Sequence, residues 1–168
     1  MPSPERFVEV GLAKRGVSCR VRMLTHLAPL TCAAVWDALP HAGDVYHAKY
    51  ARNEIYALLP AFAPQEPPLE NPTVTPMPGD LVYFSFTDVL LATPGYGYGE
   101  QAGHVGLADV VDLALFYERN NLLLNADVGF VPGSVWGTVV EGLDRMAEAA
   151  HDLWRAGALG ETLTFRAA

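Results

Sequence analysis

The sequence predicts a mainly β fold: an antiparallel barrel, closed or nearly closed, capped by two main α-helices. Three observations predict it. Several short runs alternate apolar and polar residues and are separated by turn residues. Two stretches carry an apolar face at helical spacing. No repeat and no linker divides the 168 residues, so residues 1–168 are expected to form a single domain long enough to bury a core.

The elements follow in order. Arg6–Leu12 and Val17–Leu24 both alternate, and Lys14-Arg15-Gly16 between them reads as the turn of a hairpin. Pro29 suits the first position of a helix, where a missing N–H costs nothing. Cys32, Val35, Trp36 and Leu39 then fall on one face, and Pro40 ends the helix. Val45–Tyr50 and Glu54–Leu59 read as two strands around Ala51-Arg52-Asn53. Ala61–Pro78 holds six of the chain's 13 prolines, which excludes a central strand, and a loop of that length is expected to be functional or mobile.

Gly79–Phe86 resumes as a strand, Thr93–Gly103 is a glycine-tyrosine loop, and Val105–Val111 is a further strand. Leu113–Asn121 fits helix or strand, and Val128–Val140 is a strand interrupted by Pro132 and Gly133. Glu141–Arg155 is a helix with the stripe Leu143, Met146, Ala147, Ala150, Leu153 and Trp154, and Gly157 suits its C-terminal cap. Thr162–Arg166 closes the set as a strand.

Composition narrows the function classes. Hydrophobic residues make up 51% and charged ones 18%, as in a folded globular chain. The formal charge of −8 argues against a nucleic-acid partner, because phosphate binding needs a basic face, and against docking on anionic lipid. No apolar run is long enough to cross a membrane and the N-terminus lacks a secretory pattern, so a cytoplasmic protein is expected. Cys19 and Cys32 are expected to be buried free thiols.

Ala28-Pro29-Leu30-Thr31-Cys32-Ala33-Ala34-Val35-Trp36 resembles the Ala-Pro-x-Thr-x-x-x-Phe helix start of cyclophilins. Trp136-Gly137-Thr138-Val139-Val140-Glu141-Gly142-Leu143-Asp144 is similar to their Phe-Gly-x-Val-x-x-Gly-Met-Asp. The resemblance implies a cyclophilin-like barrel. The isomerase motifs, Phe-His-Arg and Gln-Gly-Gly-Asp, are absent: Ala48 follows His47, so prolyl isomerase activity is not expected, a residual level of it being the weaker alternative. The chain also resembles an uncharacterised bacterial family of cyclophilin-like fold at His47-Ala48, Glu54-Ile55-Tyr56, Glu70-Asn71-Pro72 and Pro78–Tyr83. That likeness implies a pocketed barrel, with a hydrolase among the implied activities.

Two groups of residues carry chemistry. In the first, His47 and Glu54 approach if their strands pair, and a carboxylate beside a histidine makes a general base. A solvated barrel exterior is the alternative. Arg52 is placed to hold an anionic group. The second is the loop with Tyr96, Tyr98, Glu100 and His104, which reads as a pocket rim or as a corner packed on the barrel or another subunit. Tyr83 is expected to line the same pocket. No histidine pairing has metal spacing, and neither metal nor cofactor is expected.

The expectation is thus a small-molecule enzyme, a hydrolase of amide-type bonds. His47, Glu54 and His104 would be catalytic, and Arg52, Tyr83, Tyr96, Tyr98 and Glu100 would bind substrate. The alternative is a non-catalytic ligand-binding or assembly module. A homo-oligomer is expected in either case.

Overall fold

A computed structural model describes residues 4–86 and 109–168. In chain order its elements are β1 (Phe7–Leu12), β2 (Val17–Met23), α1 (Pro29–Asp37), β3 (His41–His47), β4 (Glu54–Pro60), β5 (Pro72–Thr73), β6 (Asp80–Phe86), β7 (Val110–Phe116), β8 (Leu124–Asn125), β9 (Gly129–Phe130), β10 (Gly133–Glu141), α2 (Leu143–Ala156) and β11 (Thr162–Ala167). Eight strands run in the order β2-β1-β11-β3-β4-β7-β6-β10, and pairing of β10 with β2 closes them into a barrel. Every neighbouring pair is antiparallel. The barrel and its two helices match the fold expected from the sequence.

The interior is filled from both sheet and helices. Val10, Val21, Ile55, Leu113, Trp136 and Phe165 meet Cys32 and Val35 of α1 and Met146, Ala150 and Leu153 of α2. Ring and backbone contacts place the helices at opposite ends of β3. His41 at its start meets the Val35 carbonyl of α1, and the His47 ring at its end lies 5.0 Å from that of Trp154 on α2.

Helix α1 begins at Pro29 without a capping side chain of its own, since Ala28 has none to offer. Glu70 supplies the cap from the proline-rich stretch. Its carboxylate accepts from the Thr31 amide at 2.8 Å, the Thr31 hydroxyl at 2.9 Å and the Leu30 amide at 3.3 Å. Asn71 donates to the Val135 carbonyl at 2.9 Å, and β5 pairs with β10. The stretch expected to be a functional or mobile loop is therefore fastened at several points. Its Glu70-Asn71-Pro72 motif joins α1 to β10.

Gly142 starts α2 at φ 85, where a Cβ would lie 3.0 Å from the Ser18 carbonyl oxygen. The same helix departs from its expected stripe at Trp154, which is 65% exposed. Near β11, the buried carboxylate of Glu161 accepts from the amides of Lys14 (2.7 Å), Arg15 (3.1 Å) and Thr162 (3.0 Å), and from Arg15 Nη1 at 3.0 Å. It ties the β1–β2 turn to the closing strand.

Two strand boundaries differ from the sequence reading. β3 runs from His41 to His47, not Val45–Tyr50, because its first residues pair with β11 while half exposed and show no apolar alternation. β7 crosses the break expected between Val111 and Leu113. All seven of its residues are buried, so there is no period-two pattern to read. The Thr93–Gly103 loop and the first part of the Val105–Val111 strand lie outside the described residues.

Candidate functional site

Strand parity decides where each candidate side chain points. Along β4, Ile55, Ala57 and Leu59 enter the barrel interior, while Tyr56 and Leu58 join a second cluster on the outer face. Glu54 has the parity of Tyr56. β3 and β4 pair as expected, but the partner of His47 is Ile55, so His47 shares the inward side. His47 and Glu54 are neighbours in the sheet that face opposite ways. A His47–Glu54 general-base pair is not formed, and the sequence reading erred by assuming that paired strands bring these two together.

The outer face of β4, β7 and β6 holds Glu54 with a carboxyl that sequence reading passed over, Asp112. They are 5% and 4% exposed. Asp112 stands directly between Leu58 of β4 and Phe84 of β6, and Glu54 stands opposite Phe116. Ala114, flanked by Tyr56 and Val82, separates the two carboxyl positions along β7. Tyr46 stacks on Tyr56 at 5.6 Å, and Phe84 on Phe86 at 5.6 Å. Gly133 of β10 fits beside this cluster only without a side chain: a Cβ there would lie 2.3 Å from Val82 Cγ1 and 2.5 Å from Phe84 Cε1.

Burial in this apolar setting disfavours the charged carboxylate. It pushes Glu54 up to about 8. Burial also raises Asp112 well above the ordinary carboxylate range, and the charge of Glu54 raises it further. The Oδ1 atom of Asp112 has no hydrogen-bond partner among the described residues. Both shifts favour the protonated form of the two carboxyls at neutral pH. Asp112 was legible as the one carboxylate inside the apolar run Val110-Val111-Asp112-Leu113-Ala114-Leu115-Phe116, had that run been read as one strand.

At the α2 end of the barrel, His47 forms a different cluster. Its Nδ1 lies 3.1 Å from the Ala48 carbonyl, which can only accept, so Nδ1 carries the proton. Nε2 then accepts from the Tyr117 hydroxyl at 2.7 Å. The His151 ring meets Tyr117 edge-on at 5.1 Å and is half-buried. Burial lowers the His47 pKa, aided by the charge of His151, and the Ala48 bond opposes the shift. Burial likewise pushes Tyr117 up to about 12.

Tyr83 faces inward and away from both groups. Its hydroxyl donates to Glu66 Oε1 at 2.5 Å, with Phe62 edge-on to its ring. Arg52 is exposed in the β3–β4 turn at φ 83. Tyr96, Tyr98, Glu100 and His104 lie outside the described residues. Cys19 and Cys32 are free and buried, and burial pushes both up to about 12, which suits neither to nucleophilic work. Among the described residues no three His, Cys, Asp or Glu side chains converge as a metal site, and no helix is long and apolar enough to cross a membrane. A groove of ≈ 560 Å³ opens by Gly11, Ser18 and Thr164 and holds none of the predicted site residues.

Comparison with known proteins agrees with this architecture. Residues 10–165 match the family described as "Protein of unknown function (DUF3830)". No curated protein matches the chain. Seven solved chains match it. One is McbB, solved in complex with tryptophan, at 16% identity and a TM-score of 0.58 over 95% of this chain. The chain spans only 44% of McbB, and at that identity the likeness establishes the cyclophilin-like barrel fold alone.

Proposed function

The chain belongs to the DUF3830 family, whose function is unknown, and from that premise we propose that it is a small-molecule enzyme working by acid–base chemistry on the outer face of β4, β7 and β6. The observation that carries this reading is the pair Glu54 and Asp112: two carboxyls, each more than nine-tenths buried, on one apolar face of the sheet. Burying even one such group without a charged partner is costly. A purely structural sheet has no use for two, whereas proton transfer near neutral pH requires groups whose pKa values have been moved there. That McbB, a protein of the same fold, holds a small molecule is compatible with a ligand of similar scale here.

The reaction class proposed is hydrolysis of an amide-type bond. In the fraction of molecules in which Glu54 is ionised, its carboxylate takes a proton from water as the water oxygen bonds to the carbonyl carbon. Asp112, held protonated by burial and further by the charge of Glu54, gives its proton to the leaving nitrogen as the C–N bond breaks. Water is consumed and an amine and a carboxylic acid are produced. The test is turnover of a panel of small amides by wild type, Glu54→Gln and Asp112→Asn. Each variant is expected to lose roughly 10²–10⁴-fold in kcat. Unchanged turnover in both variants removes the carboxyl pair from the chemistry.

A second reading concerns assembly. Trp154 and Leu159 are 65% and 95% exposed at and just beyond the end of α2, as an oligomer contact would require. We propose a homo-oligomer formed through this end, in the cytoplasm, where the two free thiols would stay reduced. Solution mass of wild type against Trp154→Asp tests it. A monomer in both rejects it.

A further inference from the structure

We infer that the molecule accepted at Glu54 and Asp112 carries a positively charged amine. The inference rests on the reading of this face as a small-molecule site and names the substrate class for it. It starts from an imbalance in the structure. The outer cluster is apolar apart from these carboxyls and the hydroxyls of Tyr46 and Tyr56. Among the described residues no Lys or Arg forms an ion pair with either carboxyl. Asp112 Oδ1 stays unpartnered although it can accept hydrogen bonds.

A positively charged nitrogen meets all of these conditions at once. Its N–H groups satisfy the open oxygen. Its charge matches one ionised carboxylate. The faces of aromatic rings beside the carboxyls, Phe84 next to Asp112 and Tyr56 on the strand of Glu54, attract a cation through their negative faces. An anionic ligand would oppose ionisation of the pair, and a neutral one would not favour it. Asp80 of β6, a carboxylate of the same parity, is already engaged by the Met77 amide at 2.8 Å.

The proton count follows from the same geometry. Without ligand, burial keeps both carboxyls protonated at neutral pH. A bound cation favours ionisation of the pair, which titrates as a unit and releases one proton. Binding is thus expected to release close to one proton per cation bound near pH 7.

The experiment uses phenethylammonium and its neutral counterpart 3-phenylpropan-1-ol as probes, by calorimetry in HEPES and in Tris at pH 7.0. The expected result is at least tenfold tighter binding of the cation, with proton release shown by the difference between buffers. Asp112→Asn should abolish the preference. Equal affinity for the two probes, no binding of the cation, or cation binding without proton release overturns the inference, and none of these needs a variant that folds. If Glu54-dependent turnover of neutral amides persists while no ammonium binds, the cation inference falls and the acid–base reading stands. If turnover is indifferent to Glu54, the underlying reading falls instead.

Discussion

Glu70 caps α1 from 39 residues beyond Thr31: its carboxylate holds both the amide and the hydroxyl of Thr31. The contact fixes where α1 starts and keeps the proline-rich stretch on the barrel. Glu70→Ala is expected to lower stability by about 1–2 kcal/mol, the usual worth of a lost helix cap with a charged acceptor. Denaturant titration measures it. An unchanged midpoint would mean that water replaces the cap at no cost.

Glu54 gives a pH signature of stability. Its pKa rises from 4.5 when unfolded to about 8 when folded, so the native state holds the extra proton between these values. Stability is fully present below about pH 4.5 and declines as pH rises through 8. Glu54→Gln, which cannot ionise, should flatten that decline and be the more stable protein at pH 9, by on the order of a few kcal/mol. Parallel curves for the two proteins would show that Glu54 does not titrate from a buried position.

His47 acts in the opposite direction. Burial holds its folded pKa below 6.5, so the unfolded chain binds more protons as pH falls past that value. Stability from this group is present above pH 6.5 and is lost on acidification through the folded pKa. His47→Gln should reduce the slope of stability between pH 6.5 and 5. Tyr117→Phe, which removes the hydroxyl bonded to Nε2, should cost about 1 kcal/mol at pH 7. Thermal unfolding across pH separates the two effects.

Glu161 is the carboxylate whose loss should be felt most. Burial raises its pKa, but bonds from Lys14, Thr162 and Arg15 outweigh that and leave it lowered. Glu161→Ala strands three part-buried amide donors and the Arg15 guanidinium, and is expected to cost about 3 kcal/mol. The acid limb of stability should weaken with it, since a lowered pKa contributes stability above the unfolded value that is lost as pH falls through the folded one. Hydrogen exchange at the Lys14 and Arg15 amides should speed up more than at the β6–β7 pairs.

Much of the fold was legible because it is written locally. The hairpin Arg6–Leu24 alternates, Pro29 marks the start of α1 and Gly157 the end of α2, and the helix stripes are regular apart from Trp154. The proline-rich stretch was misjudged because its purpose is long-range: nothing near Glu70 reveals that it completes Thr31. The site was harder still. His47 and Glu54 were chosen for type and proximity, but a turn between strands does not disclose register, and a shift of one residue exchanges the faces. Asp112 was missed because a strand buried on both sides has no alternation from which a lone carboxylate stands out.

Closure by β2 and β10 has a consequence for how this protein meets others. Ring-closed strands have spent their backbone donors and acceptors on one another, so they cannot recruit an extended peptide or a second barrel by adding to the sheet. Free edges remain on the two-residue strands β5, β8 and β9, so on the ring itself partners are selected through side chains on its wall and at its ends. Substitutions there can retune what the protein recognises while the hydrogen-bonded ring stays intact.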